Sequence, residues 1–285
     1  MAAESAEYVV VPAGSLEEIE AVHLLQAEIW GSELIATPST LLHVISQAGG
    51  SVLLAKAGER PIGFAYGFVG RSPDGVTYLR SHAAGVLAEF RNIGIGRALK
   101  LAQRQAVLAA RMDRIVWTFD PSRVGNAHFN LRRLGATARG FRHDYYGQRD
   151  DALSHGLPTD RLIVEWFLGD SEQAELSRLR RRSNLVSVTV PEGLPAQAGA
   201  DHAKVLRLQS ILRKDLESAL AQGLEVIDFD AESRSYRLAE LPSSLPARVE
   251  GGSSSGGRSE PASRSCSRSS ASGWLSRPRT SSSPP

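Results

Sequence analysis

The stretch Phe90-Arg91-Asn92-Ile93-Gly94-Ile95-Gly96-Arg97-Ala98-Leu99-Lys100 places two glycines two apart where a helical apolar pattern begins. Glycine inside a helix costs roughly 1 kcal/mol relative to alanine, so the pair calls for a reason. The first four N–H groups of a helix lack internal partners and lie at the positive end of its dipole. A phosphate can take them where no Cβ blocks its approach, and two glycines clear that approach. A dinucleotide fingerprint needs a third small residue where Leu99 stands, and an acidic residue after the next strand, whereas Asp113 precedes it. A Walker loop needs Gly-Lys-Ser/Thr and finds Gly96-Arg97-Ala98. A shorter pyrophosphate cradle, Arg-x-x-Gly-x-Gly opening a helix, fits the chemistry. A tight strand-to-helix turn that needs glycine for packing is the competing reading.

The elements around this stretch alternate. Tyr8–Val11 reads as a strand. Ser15 and Glu18 form a capping signature ahead of Ile19, Val22, Leu25 and Ile29 at helical spacing. Residues 51–55 and 62–69 read as a hairpin turning at Gly58-Glu59-Arg60-Pro61, and residues 76–87 as a third strand. Ile95, Leu99, Ala102, Ala106 and Ala110 share a helix face, Ile115–Phe119 is a strand, and 126–134 is helical up to Gly135. Residues 136–146 and 162–167 complete the pattern as strands. Past residue 170 the texture changes. Arg178, Arg180, Arg181 and Arg182 cluster, and then come strands near 185–190, 225–229 and 235–238, with a helix near 202–221. The expected division is a main domain over 1–170, a small appended α+β region over 171–246 and a disordered tail over 247–285.

Composition bounds the function. Of 285 residues, 42% are hydrophobic, as in a soluble globular chain, and no apolar run is long enough to span a bilayer. The N-terminus lacks the charge and apolar core of a secretory signal, and Cys266 is the only cysteine, so a cytoplasmic protein without an internal disulfide is expected. The net charge of +2 belongs to the tail: without residues 250–285 there remain 28 basic and 29 acidic residues. Serine makes up 14 of those 36 tail residues, which could serve as a solvated extension or as a weak nucleic-acid tether. No Cys/His spacing suggests a metal site.

The segment Val86-Leu87-Ala88-Glu89-Phe90-Arg91-Asn92-Ile93-Gly94-Ile95-Gly96-Arg97-Ala98-Leu99 resembles the acetyl-CoA-binding motif of the GNAT acyltransferase superfamily, with Ala88 where the motif carries proline. Asn126 to Ala136 resembles the second cofactor motif more loosely. Ser81-His82-Ala83-Ala84-Gly85-Val86, Asn126–Asn130, Tyr145-Tyr146-Gly147 and Leu157-Pro158-Thr159-Asp160-Arg161 are similar to a branch that carries an extension after the fold. Some relatives in that branch look like N-acylators of free amino acids, with succinyl-CoA among the donors.

The resemblance implies an α/β (α+β) fold: a mixed, mostly antiparallel sheet with flanking helices and a V-shaped splay between its two central strands. A short helix over Ser39–Gln47 is implied as well. It further implies direct acyl transfer from acetyl-CoA or another acyl-CoA to the amine of a small molecule, without a metal, membrane or specific nucleic-acid partner. Val86 and Leu87 would offer backbone to pantetheine, with the amide near Val86 steadying the oxyanion. Arg91, Asn92, Ile93, Gly94, Ile95, Gly96 and Arg97 would surround the pyrophosphate, and Asn126 and Asn130 would add cofactor contacts. His82 is the first candidate base, ahead of Glu89 and Glu28, and its competing reading is a hydrogen-bonded core histidine. The family's thiolate acid is a tyrosine four residues before the glycine of the second motif, where this chain has Leu131. Tyr145 or Tyr146 would substitute, or solvent would supply the proton. The departure also motivates a different class of function, an acyl-CoA-binding module without turnover.

Overall fold

The computed structural model describes residues 7–147, 156–195 and 201–249. The tail expected to be disordered lies, from residue 250 on, outside the described residues. No helix among the described residues is long and apolar enough to cross a membrane.

Strand β1 (Val9–Pro12) runs into helix α1 (Leu16–Trp30), whose start is fixed by the predicted cap. Glu18 N–H donates to Ser15 Oγ at 3.1 Å, and the Glu18 carboxylate accepts from the N–H groups of Gly14 and Ser15. Helix α2 (Ser39–Gln47) follows, then β2 (Ser51–Ala57), β3 (Arg60–Arg71) and β4 (Thr77–Val86) as an antiparallel meander. Val52 and Leu54 face α1 and α2, while Leu53 and Ala55 face helix α3 (Ile95–Ala109). A strand covered on both faces reads as an unbroken apolar run, which is why 51–55 shows no alternation.

β5 (Arg114–Phe119) lies parallel to β4, and the sheet continues through β7 (Arg161–Phe167) to β6 (Thr137–Arg142). Helix α4 (Val124–Ala127) runs on into a π-helical segment, His128–Arg133, before β6. The region after residue 170 extends the same sheet. β9 (Leu224–Asp230) pairs with β6 at Ala138↔Val226, and β10 (Ser235–Glu240) and β8 (Val186–Thr189) follow it to the far edge. Helix α5 (Asp170–Arg180) packs Leu176 and Leu179 against Phe167 and Ile227. Helix α6 (His202–Ala221) packs Val205, Leu212 and Leu216 in the cluster that holds Leu131 and Trp117. Trp117 and Trp166 are core residues and meet edge to face at 6.4 Å.

Two departures from regular geometry position the site. β4 and β5 pair only at Leu79↔Ile115 and Arg80↔Val116, although β4 runs on to Val86 and β5 to Phe119. Beyond that point the strands separate, which is the splay that the resemblance implied. On its other edge β4 bulges: Tyr66 pairs with Ala83 and Gly67 with Ser81, so the register skips His82. Gly67 permits the bulge, since a Cβ there would lie 2.6 Å from Arg80 O and 2.9 Å from Ser81 Cα.

Candidate active site

The loop after β4 is built to leave N–H groups open. Leu87 N–H donates back to Ile62 O at 3.0 Å, and a single turn over Ala88–Phe90 reverses the chain. Arg91 Nε donates to Val86 O at 3.0 Å and ties the loop to the strand end. Asn92 (φ 65°) and Gly94 (φ 100°) adopt left-handed backbone, and α3 then starts at Ile95 with no side chain capping it. A Cβ on Gly96 would meet nothing nearer than the Phe129 ring at 4.0 Å. Val86, Arg91, Asn92, Gly94, Gly96, Arg97 and Asn126 line a cavity of about 800 Å³ there, with Arg133 on its rim. Leu87 and Ile95 are buried in the core and offer only backbone, and Ile93 is 37% exposed. The residues present fit a diphosphate: open amides, one arginine from the loop (Arg91), one from the first turn of α3 (Arg97) and one from the segment after α4 (Arg133).

A second cavity, about 310 Å³, lies inside the splay. Ser81, His82, Ala83 and Ala84 form one wall and Trp117, Thr118 and Phe119 the other, with Lys100 and Trp30 also on the lining. Asn126 and Phe129 line both cavities, so one groove runs from the nest into the splay. Asn130 lines the inner part, while Leu131 is fully buried in the core. The π-helical turn does this: Leu134 N–H bonds Phe129 O, five residues back, and brings Asn130 to the cleft wall.

His82 sits on the bulge with its ring 5.5 Å from Tyr66 and 6.1 Å from Phe68. Part of the imidazole meets solvent, yet burial, and then the Arg80 guanidinium, holds its pKa below the usual histidine range. It is the candidate base whose side chain lies on the groove. Glu89 is exposed and paired with Arg60 at 2.7 Å, and Glu28 is exposed on α1.

Tyr145 and Tyr146 fall in a turn after β6, not on the strand expected to reach residue 146; they are 39% and 42% exposed. The strand ends early because the segment 157–161 holds the turn. Tyr145 N–H bonds Thr159 O, Tyr146 N–H bonds Thr159 Oγ1, and Thr159 N–H bonds Asp144 Oδ1. Asp160, buried, accepts from His143 Nδ1 at 2.8 Å and from Arg213 Nε of α6 at 2.9 Å. The two sequence motifs thus close on each other. Tyr145 OH accepts from Arg80 Nη2 at 3.0 Å, which links this turn to β4 one residue from Ser81.

Sequence reasoning missed Lys100, Gln103 and Ser81. Lys100 Nζ lies 2.6 Å from Ser81 Oγ and 4.3 Å from the centre of the Trp117 ring. Burial alone lowers its pKa from 10.5 to about 7. The available signal was spacing: Gly96, Lys100, Gln103 and Val107 form one stripe of α3, and Val107 is core. The arginine cluster is mostly solvent-facing, with one exception. Arg180 is largely buried and donates to Ile227 O and Gly135 O, while Arg178, Arg181 and Arg182 are exposed.

No family model matches the chain, and no curated protein matches it. Solved structures do. The chain is similar to the ribosomal-protein-alanine N-acetyltransferase from Brucella melitensis at 16% identity, over 56% of this chain and 99% of that one, with a TM-score of 0.46. An acetyltransferase of the GNAT family from Streptococcus pneumoniae matches at 14%, over 56% and 99%, with a TM-score of 0.45. A GNAT superfamily phosphinothricin acetyltransferase from Sinorhizobium meliloti, in complex with AcCoA, matches at 16%, over 57% and 89%, with a TM-score of 0.46.

Proposed function

We propose that this chain is an acyl-CoA-dependent N-acyltransferase that passes an acetyl or succinyl group directly to the amine of a small molecule, an amino acid among the candidates, in the cytoplasm. The observation that carries the reading is the parting of β4 from β5 after Arg80↔Val116, in a groove that leads to the uncapped start of α3. An extended thioester arm takes the strand amides that β5 leaves free, and the diphosphate takes the nest at residues 91–97. Asn126 and Asn130 face that arm from α4 and the segment after it.

Holding thioester and amine in one cleft supplies acceleration through orientation. His82 in its neutral form removes the ammonium proton, and the amine nitrogen then attacks the thioester carbon. The backbone amide near Val86 steadies the oxyanion, and the C–S bond breaks as the intermediate collapses. The attacking nitrogen sheds its second proton as the intermediate collapses, and the leaving thiolate takes one from water, since Tyr145 and Tyr146 do not line the groove.

Calorimetric titration with CoA, followed by a mass-spectrometric screen of amines with acetyl- and succinyl-CoA, tests the proposal. CoA binding and an N-acylated product are expected. Absence of CoA binding at millimolar concentration rejects it. The buried Leu131 in place of a tyrosine favours one second reading, a module that binds acyl-CoA without turnover, and binding with no product from any amine would select that reading.

A further inference from the structure

Among the described residues, two titratable side chains line the inner cavity, His82 and Lys100, and acyl transfer as proposed uses only the first. They lie on opposite faces of β4. The His82 ring packs beside Tyr66, whose cluster belongs to α1 and α2. Lys100 comes from α3 on the other face. Its Nζ donates to Ser81 Oγ at 2.6 Å and to Gln103 Oε1 at 3.2 Å, and lies 4.3 Å from the centre of the Trp117 ring. Ser81 Oγ donates to the same Gln103 oxygen at 3.0 Å, so the nitrogen is held from two sides. An ammonium has three N–H groups, one more than these acceptors take. Ser81 and Trp117 each lie one residue past the last β4–β5 pair, so Lys100 stands at the vertex of the V.

This placement meets a need of the chemistry. When the C–S bond breaks, its electron pair stays on sulfur, and that charge is costly in the cleft until a proton arrives. Water carries a proton, but a donor must supply it. An ordinary lysine, at 10.5, is a weaker acid than a thiol at roughly 8.5 and is no use there. Burial alone brings Lys100 down to about 7, which reverses the order. No charged group among the described residues acts on the amine. Ser81 faces it from β4, Trp117 from β5 and Gln103 from α3, while Phe129 and Asn130 line the cavity from the segment after α4.

We propose that the Lys100 ammonium is the acid for the leaving thiolate, passing a proton through the water of the inner cavity to the sulfur. The N–H bond of Lys100 breaks with its electron pair left on Nζ, water relays the proton, and an S–H bond forms. Over one turnover the acceptor ammonium gives up two protons; one restores that of Lys100 and the other is released. His82 takes up a proton on one face of β4, and Lys100 delivers one on the other. Ser81 and Gln103 are positioning residues for the amine. The proposal rests on the acyl-transfer reading of the groove and adds a proton donor to it.

The test follows kcat from about pH 5 to 9 with acetyl-CoA and the first amine that the mass-spectrometric screen shows to be acylated, by chromatography of released CoA. The unaltered protein is expected to lose turnover as pH rises through about 7, where the ammonium is discharged, on a limb separate from the acid limb of His82. Lys100→Met should lower kcat about 10²-fold, remove the alkaline limb and leave CoA affinity by calorimetry unchanged. Lys100→Arg keeps the positive charge but does not release its proton, so it should stay as slow as Lys100→Met, whereas a role in packing or charge alone would be rescued. A kcat that holds level between pH 7 and 9 in the unaltered protein overturns the proposal, even if Lys100→Met fails to fold. An alkaline limb that survives Lys100→Met overturns it as well, as does near-full turnover in Lys100→Arg. Absence of any acylated amine removes the acyl-transfer reading and this proposal together, whereas turnover without the alkaline limb removes the proposal alone.

Discussion

Arg80 Nη2 donates to the hydroxyl of Tyr145 at 3.0 Å, joining the strand that bulges at His82 to the turn that closes over Thr159. Neither tyrosine of that turn lines the groove from nest to vertex. Tyr145→Phe should therefore leave CoA affinity unchanged. It removes the acceptor that Arg80 Nη2 holds there, and turnover should fall by about tenfold or less, the scale of a part-buried hydrogen bond to a charged group. Steady-state kinetics beside calorimetry will show whether the loss sits in kcat, as expected, or in cofactor binding.

His82 acts as a base only when neutral. Burial and Arg80 hold its pKa below 6.5, so it is already deprotonated at neutral pH. As pH falls through that lowered value the base is lost, and kcat should drop along an acid limb centred below 6.5. His82→Ala should lower turnover by about 10²-fold or more, erase that limb and leave CoA affinity nearly intact. Unaltered turnover would remove His82 from the mechanism.

The nest makes two separable predictions. Gly96→Asp puts bulk and negative charge where the diphosphate sits, with room in the fold for its Cβ, so it should abolish CoA binding without unfolding the chain. Gly94→Ala instead strains a backbone at φ 100°, and should cost about 1–2 kcal/mol in urea unfolding. Normal CoA affinity in folded Gly96→Asp would contradict the cradle.

Lys100 also leaves a signature in stability. Its folded-state pKa is about 7 against 10.5 for the ordinary lysine. Between those values the unfolded chain binds a proton that the folded chain does not, so stability rises with pH from about 7 towards 10.5. Below 7 the full cost of the buried charge is present, on the order of 3–5 kcal/mol. Lys100→Met should flatten this dependence and raise stability at pH 6.5, read from denaturation midpoints at pH 6.5 and 9. A wild-type curve without the rise would mean that the amine is paired in solution.

The segment after β10 is structural. Val249 N–H donates to Glu165 Oε1 at 3.1 Å, and the carbonyls of Pro246 and Ala247 accept from Arg139 and Arg114. Glu165 is 1% exposed between those two arginines, and burial raises its pKa against their attraction. A chain ending at residue 244 should lose about 3–5 kcal/mol relative to one ending at 249, because the partners of a buried charge cluster are withdrawn. Urea unfolding of the two chains measures the difference.

Much of this was legible beforehand, and the exceptions share a cause. The cap at Ser15 and helix α6 follow from local spacing and appear where they were expected, and helix α2 appears where the resemblance implied it. Helix α5 escaped because only Leu176 and Leu179 of its eleven residues are buried hydrophobics, too few to set a period. The bulge at His82 depends on Gly67 across the hairpin, and the π-helical turn on the packing of Leu131 and Leu134 in the core. Lys100 drew no role from the sequence because one chain cannot reveal that Trp117 lies beneath it. Local chemistry writes its ends and periods into neighbouring residues, while contacts across the sheet do not.

The parted strands have a consequence for the protein alone. A sheet ordinarily hides its hydrogen-bonding edges by placing them at its borders, yet here two such edges face each other in the interior. An extended amide chain of the right width completes the ladder, whether it belongs to a cofactor or to an intruding peptide. Under the proposed function, the ligand of this protein serves as a missing strand as much as a reagent.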